Sequence, residues 1–225
     1  MSEERHPFRR AILYFVGLSI MAFGVVVSVR SDLGVTPISS IPYTMTVVSG
    51  MDLGIATIIF SVLMVALQIV VLRKDYKIIS LLQLPVGIIF GLFLTEMGNV
   101  IEFIPYPEDF LAKVVLMLIS TVFVAFGVFL YVSAELIPLA PEGFIIAVSK
   151  VTKKKFGTVK VISDVTMVVI SLVTCLIMVQ ALGSVGIGTV VAAILVGNEV
   201  KVFVRYLGQY KNGFLGIQSE ETGVR

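Results

Sequence analysis

Long uncharged apolar runs are the feature that most constrains how this chain can fold. The runs long enough to cross a bilayer cover residues 11–29, 54–72, 78–95, 114–134 and 165–198. A membrane helix needs about 20 apolar residues to cross about 30 Å of hydrocarbon. The last run is long enough for two helices, and it divides at Gly183, Gly186 and Gly188, because glycine weakens a helix and suits a turn. The sequence therefore predicts six membrane spans.

The composition agrees with a chain that lives in lipid. Only 14% of the 225 residues are charged, and the mean hydropathy is +1.04. Soluble domains carry about 25% charged residues, so a water-soluble enzyme is excluded and no sizeable domain outside the membrane fits. The net charge of +2 is too small and scattered for a nucleic-acid-binding surface. The chain has one cysteine, Cys175, and one histidine, His6, so we expect no disulfide, zinc site, other metal or cofactor.

Two further apolar pieces are broken by prolines. Residues 33–51 and 136–149 each contain two prolines, and the second also contains the charged Glu142. Non-helical backbone is tolerated at membrane depth only where protein or a water-filled cavity covers it. We therefore predict that both pieces are re-entrant, entering the membrane and returning to the same side.

The distribution of lysine and arginine predicts the orientation, because loops rich in these residues stay in the cytoplasm. If both broken pieces are re-entrant, 14 of the 17 basic residues share one face. If both cross fully, only 12 do. We predict a multi-pass protein with both termini in the cytoplasm. The 14 residues are Arg5, Arg9, Arg10, Arg73, Lys74, Lys77, Lys150, Lys153, Lys154, Lys155, Lys201, Arg205, Lys211 and Arg225.

An internal repeat is visible at a spacing of 103 residues. Ala22-Phe-Gly-Val returns at Ala125, Asp32-Leu returns as Glu135-Leu, and a glycine recurs at the same spacing later in both halves. Each half contains three spans, an odd number, so the second half enters the membrane upside down, as in many secondary transporters. The predicted units are a first repeat at 11–95, an extracytoplasmic linker at 96–112, a second repeat at 113–206 and a polar cytoplasmic tail at 207–225. The predicted fold class is all-α, with six transmembrane helices, two re-entrant segments and an inverted 3+3 repeat.

Charged side chains within spans are costly, about 2.5–3.5 kcal/mol each on insertion scales, and mark candidate sites. Glu142 begins the second broken piece, while Lys160 and Asp164 share one helix face in the next span. Asp32 and Glu135 match across the repeat, where the first helix of each half ends. The candidates for binding a coupling proton or cation are Asp32, Glu135 and Asp164. In the transporter hypothesis, Asp164 or Glu142 carries the coupling proton or cation. Each candidate also has a structural alternative. Glu142 is then an N-terminal helix cap, and Lys160 and Asp164 are an intrahelical ion pair. Asp32 and Glu135 then lie at the membrane surface.

A second kind of ligand-binding group is expected where the broken pieces and the last span begin. A helix that begins inside the membrane leaves unpaired N–H groups and a positive dipole end, which favour an anionic ligand. The predicted substrate-binding residues are Thr36, Ser39, Glu142, Gly143, Lys160, Asp164 and Thr189.

Small residues one helical turn apart predict close helix packing. Gly87 and Gly91 form one such pair, and Ala193 and Gly197 form another. These faces are also candidates for a homodimer contact.

Several short motifs resemble those of the YczE/YyaS/YitT-type bacterial integral membrane proteins. They are Gly34-Val-Thr-Pro, Ala140-Pro-Glu-Gly, Val159-Lys-Val-Ile-Ser-Asp and Gly186-Ile-Gly-Thr. The resemblance covers nearly the whole chain to about residue 205. It departs from the commonest first-half pattern, Gly-x-Gly-Pro-Trp, because this chain has no tryptophan. The resemblance implies a bacterial inner-membrane location and supplies no substrate.

The leading functional hypothesis is a small secondary transporter or permease for an anionic or zwitterionic metabolite, coupled to a proton or cation. The alternative is a membrane ligand-binding subunit of a multicomponent vitamin-type importer, although the Ala-x-x-x-Ala docking stripe of such subunits is missing after Ala11. A third class is an intramembrane enzyme, for which no metal-protease or serine-nucleophile motif is present. The predicted partners are a small-molecule substrate and membrane lipid.

Overall fold

The computed structural model describes the backbone of residues 7–215 and the side chains of residues 7–210. Within this part of the chain the secondary structure is entirely helical. Two 3-10 turns, Arg73–Asp75 and Ile78–Leu82, connect the third and fourth helices. His6 and the end of the predicted tail lie outside the described residues. The helices are α1 (Pro7–Ser31), α2 (Pro37–Ser49), α3 (Leu53–Leu72), α4 (Gln83–Ile101), α5 (Phe110–Ser133), α6 (Ala140–Thr152), α7 (Phe156–Met178) and α8 (Ile187–Leu215).

Six of these helices are long and apolar enough to cross a membrane, which confirms the six predicted spans. The other two, α2 and α6, contain 13 residues each. At a rise of 1.5 Å per residue they are about 20 Å long, shorter than the hydrocarbon thickness of about 30 Å. Both are therefore half-helices. Two long helices extend past the predicted unit boundaries, since α4 continues to Ile101 and α8 to Leu215.

The helix boundaries reproduce the internal repeat. Helices α2 and α6 both begin and end 103 residues apart, and α3 and α7 begin at the same spacing. The backbone also repeats its unusual conformations. Asp32 and Glu135 have positive φ angles of 56° and 51°, and the C-caps Gly50 and Lys153 both adopt the left-handed conformation. The two halves therefore share one local fold.

The two halves are held together by an antiparallel crossing of α1 and α5. Gly17 of α1 faces Gly127 and Tyr131 of α5, whereas Gly24, further along α1, faces Val124, which comes earlier in α5. A Cβ atom at Gly127 would lie only 2.5 Å from the backbone nitrogen of Met21. Because the first helices run in opposite directions, the second half is inverted relative to the first.

Helices α2, α3, α6 and α7 also pack across the two halves. Helix α2 packs on α7 of the other half, and α6 packs on α3 in the equivalent way. Within each half, α3 and α4 are in close contact, but α7 and α8 are not. Each half-helix thus packs on a long helix of the other half. The missing contact between α7 and α8 breaks the symmetry of the two halves.

The glycine crossing of α1 and α5 generates a stability prediction. We expect Gly127→Ala to lower the free energy of unfolding by about 1–3 kcal/mol, the usual cost of forcing extra atoms into a packed contact. Thermal unfolding of the purified protein, followed by light scattering, measures the change.

Gly98→Ala in α4 is the matched control, because no atom lies within 4 Å of the added Cβ. Alanine is the better helix former by about 1 kcal/mol, so this variant should be unchanged or slightly more stable. An unfolding temperature for Gly127→Ala equal to that of Gly98→Ala would contradict the packing argument.

Candidate functional site

A cavity of about 310 Å³ lies between the two inverted halves. Residues on or next to all eight helices line it, and most of these are apolar. Five of the seven predicted substrate-binding residues are among them. The polar and charged lining residues are Thr36, Ser39, Thr57, Ser61, Glu142, Lys160 and Asp164.

The N-terminal turns of both half-helices form part of the cavity wall. Helix α2 begins at Pro37, and Pro141 is the second residue of α6, so both starts use the fixed φ angle of proline. Ile38 and Ala140 belong to one apolar cluster with Phe60 and Met167, which lie near the middle of α3 and α7. The half-helices therefore begin near mid-depth, with their positive dipole ends at the cavity.

Lys160 and Asp164 form an ion pair one helical turn apart on α7. The Lys160 Nζ atom lies 3.1 Å from Asp164 Oδ2, and the side chains are 42% and 21% exposed. Thr57 and Ser61 occupy the repeat-matched places on α3 and line the same cavity. The ion pair is thus local to α7, as the structural alternative predicted, and it also faces the cavity, as the site hypothesis required.

Glu142 is the third charged group of the cavity. It accepts a hydrogen bond from the hydroxyl of Tyr131 on α5. The ring of Tyr131 packs edge-to-face on Tyr14, whose hydroxyl donates to the Ile137 carbonyl at 2.5 Å. No salt bridge reaches Glu142 from any residue in the described part of the chain. Its carboxyl is therefore oriented by a tyrosine and forms no salt bridge with a cationic side chain of the described residues.

The charge balance of the cavity decides what it can do chemically. Lys160 is already paired with Asp164, so an ionised Glu142 leaves the cavity with an excess negative charge. An unpaired carboxylate away from bulk water is costly and is stabilised by a proton or a cationic group. The charges of the cavity therefore favour binding of a proton or of a positively charged ligand group near Glu142.

The other two predicted substrate-binding residues lie outside this cavity. Thr189 is buried beside Gly34 and accepts a hydrogen bond from the Gly186 backbone nitrogen at 3.2 Å. Gly143 packs on Gln83 and lines a separate cavity of about 220 Å³. Thr189 therefore caps the start of α8 with its hydroxyl, whereas Gly143 permits a close approach of α6 to Gln83.

Asp32 and Glu135, two of the coupling-ion candidates, are also outside the cavity. Asp32 pairs with Lys113 at 2.6 Å, and Glu135 pairs with Arg10 at 3.4 Å. Both acidic side chains are 64% exposed. The two ion pairs are related by the 103-residue repeat and join the ends of α1 and α5. Their position agrees with the interfacial alternative, and exposed pairs of this kind contribute about 0–1 kcal/mol.

Sequence reasoning missed one further acidic residue at membrane depth. Glu199 lies within α8 and accepts a hydrogen bond from Thr121 of α5 at 3.1 Å, while its other carboxylate oxygen is buried without a partner. The uncharged run ended at Asn198, which placed Glu199 outside the predicted span. The extension of α8 to Leu215 places it inside. Glu96 occupies the matching position in α4, a signal that the repeat already contained.

The described residues contain no group of three or more His, Cys, Asp or Glu side chains that could hold a metal ion. Cys175 is free and buried against Gly183 and Ser184.

The chain matches the "Family of unknown function (DUF6198)" over residues 8–205 and belongs to this family. No curated protein and no solved structure matches it at a significant level. The resemblance to the YczE/YyaS/YitT-type proteins stays a prediction.

Cysteine labelling tests whether the cavity admits water-borne molecules. In a Cys175→Ser background, we expect Asp164→Cys to react with a small charged methanethiosulfonate at least about tenfold faster than Ser171→Cys, because only an accessible thiolate reacts. Ser171 lies two turns further along α7, is fully buried and donates a hydrogen bond to Ser40. Equal labelling rates measured by mass spectrometry would show that the cavity is closed to the reagent.

Proposed function

We propose that this member of the family is a small secondary transporter for an anionic or zwitterionic metabolite, coupled to a proton or cation. The observation that carries the proposal is the cavity between two inverted halves, in which three charged side chains meet the N-termini of two half-helices. Binding at the interface of inverted repeats with discontinuous helices is the general arrangement of many secondary transporters.

The substrate preference follows from the charges. Lys160 and the half-helix N-termini favour an anionic group, while Asp164 and Glu142 favour a cationic group. A zwitterion satisfies both requirements at once. Glu142 is the proposed coupling residue, because its carboxyl forms no salt bridge among the described residues and is therefore available to bind a proton or a substrate cation.

The proposed location is the bacterial cytoplasmic membrane, with both termini in the cytoplasm. Lys150 contacts Asp75 at 3.5 Å, so the basic loop after α3 and the end of α6 lie at one end of the bundle. The positive-inside rule assigns this end to the cytoplasm.

Reconstitution into liposomes tests the proposal directly. With an imposed pH gradient, we expect proteoliposomes to accumulate at least one member of a panel of radiolabelled amino acids, glycine betaine and short-chain carboxylates. Glu142→Gln should reduce this accumulation by about tenfold or more, which corresponds to about 1.4 kcal/mol of coupling between proton and solute. The variant keeps a hydrogen-bond acceptor for Tyr131 but cannot bind the coupling proton.

Glu135→Gln is the matched control, because Glu135 is an exposed acid at the end of the preceding helix and lies outside the cavity. Its uptake should equal that of the wild type. The proposal is wrong if no solute in the panel accumulates under either a proton or a sodium gradient, or if Glu142→Gln and Glu135→Gln behave alike. Co-purification with an ATPase module would favour the ligand-binding subunit of an importer instead.

A further inference from the structure

The two halves differ most at the contact between their last two helices. In the first half, α3 and α4 pack closely: Gly54 faces the Gly91 carbonyl, and Gly87 faces Ser61. In the second half, α7 and α8 make no comparable contact. These two helices are also the least buried of the six spans. Only 17% of an 18-residue apolar stretch is buried in each of α7 and α8, against 39% in α3 and 33% in α4. A gap therefore separates α7 from α8.

The sequence explains the gap. Gly87 and Gly91 of α4 correspond in the repeat to Val190 and Ile194 of α8. A Cβ atom at Gly91 would lie 2.7 Å from the Gly54 carbonyl oxygen, so the close contact requires glycine. β-Branched residues at both matching positions prevent α8 from approaching α7 in the same way. The gap is thus built into the sequence.

The gap opens into the charged cavity. On one side the cavity is lined by Lys160 and Asp164 of α7, and on the other by Ala193, Gly197 and Val200 of α8. Ala193 and Gly197 are exposed, and no atom lies within 4 Å of a Cβ built at Gly197. In a bilayer, an opening between two spans at this depth faces the hydrocarbon chains of lipid.

The size and polarity of the cavity limit its occupant. Ligand pockets typically measure about 300–1,000 Å³, so the volume of about 310 Å³ accommodates a head group rather than a long-chain molecule. The polar groups lie on the half-helices, α3 and α7, whereas the α8 wall is apolar. A ligand with a charged head and a hydrocarbon tail matches this division, with its tail leaving through the gap.

We propose that the substrate is an amphiphile with a zwitterionic head group, which enters from the bilayer between α7 and α8. This inference rests on the proposed transport function and specifies its substrate class. The cationic part of the head lies near Glu142 and Asp164, the anionic part near Lys160 and the start of α2, and the tail lies against Ala193 and Gly197.

Photo-cross-linking tests the bilayer route. The full-length protein is placed in phosphatidylglycerol nanodiscs with lysophosphatidylcholine that carries a diazirine in its acyl chain. We expect cross-links on the α7 and α8 surfaces that border the gap, located by peptide mass spectrometry. Excess unlabelled lysophosphatidylcholine should reduce them at least tenfold, whereas a neutral alkyl maltoside should not.

A pair of variants separates the gap from the general lipid surface. Gly197→Trp places a large side chain in the gap and should reduce the competed cross-linking at least tenfold. Val202→Trp adds the same side chain at an exposed α8 position outside the cavity lining and should leave it unchanged. Both proteins are first checked for a monodisperse elution profile. Equal cross-linking in the two variants, or labelling that no lysolipid displaces, would overturn the inference, because it would indicate ordinary lipid contact.

A parallel transport assay distinguishes the two proposals. Transbilayer movement of fluorescent lysophosphatidylcholine is measured by albumin extraction under a pH gradient. Both proposals are supported if unlabelled lysophosphatidylcholine competes with the cross-linking and if the movement of the fluorescent lipid depends on Glu142. Competed cross-linking without proton-driven movement of any probe retains the amphiphile site and rejects the transporter. Proton-driven uptake of glycine betaine without competed cross-linking retains the transporter and rejects the amphiphile.

Discussion

The glycine-mediated crossing of α1 and α5 is the contact on which the rest of the structure depends. Helices in lipid gain little from burying apolar side chains against each other, so close approach between small residues becomes the main source of association. Gly17 and Gly127 bring the two backbones together in antiparallel orientation. This orientation inverts the second half and places both half-helices toward the same centre. The exposed ion pairs of Asp32 and Glu135 contribute at the ends of the crossing and not at its middle.

The half-helices explain why charged groups gather at one place. A helix of 13 residues cannot cross the membrane, so its first turn lies within the bundle, where its N–H groups need polar surroundings. The cavity supplies these surroundings, and it holds Glu142, Lys160 and Asp164. Tyr131 fixes the Glu142 side chain from the neighbouring helix. A polar centre inside an apolar shell therefore follows from the arrangement of the helices.

Departures from the repeat carry as much information as the repeat itself. Asp164 corresponds to Ser61, Glu142 to Ser39, and Ile194 to Gly91. The first two substitutions place the acidic groups of the cavity on the second half, and the third keeps α8 away from α7. One half is thus a tightly packed, polar but uncharged wall, whereas the other is charged and open. An inverted pair of identical units would have neither a distinct charged side nor a single opening.

The sequence by itself determined the six spans, the two proline-started segments and the 103-residue repeat, because hydrophobic length, proline and repeat spacing can be read directly from the chain. Five of the seven predicted substrate-binding residues also line the cavity. The sequence also supplied Lys160 and Asp164 as an i, i+4 pair. Only the tertiary structure decided that Asp32 and Glu135 pair with Lys113 and Arg10, and that Glu199 lies against Thr121. It also decided that Thr189 lies beside Gly34 and that Gly143 packs on Gln83. These outcomes depend on which helices meet across the two halves, a relation between residues 60 to 155 positions apart that no local pattern encodes. The gap between α7 and α8 combines both sources. Val190 and Ile194 in the sequence explain it, but only the structure shows that α7 and α8 do not make the contact that α3 and α4 make.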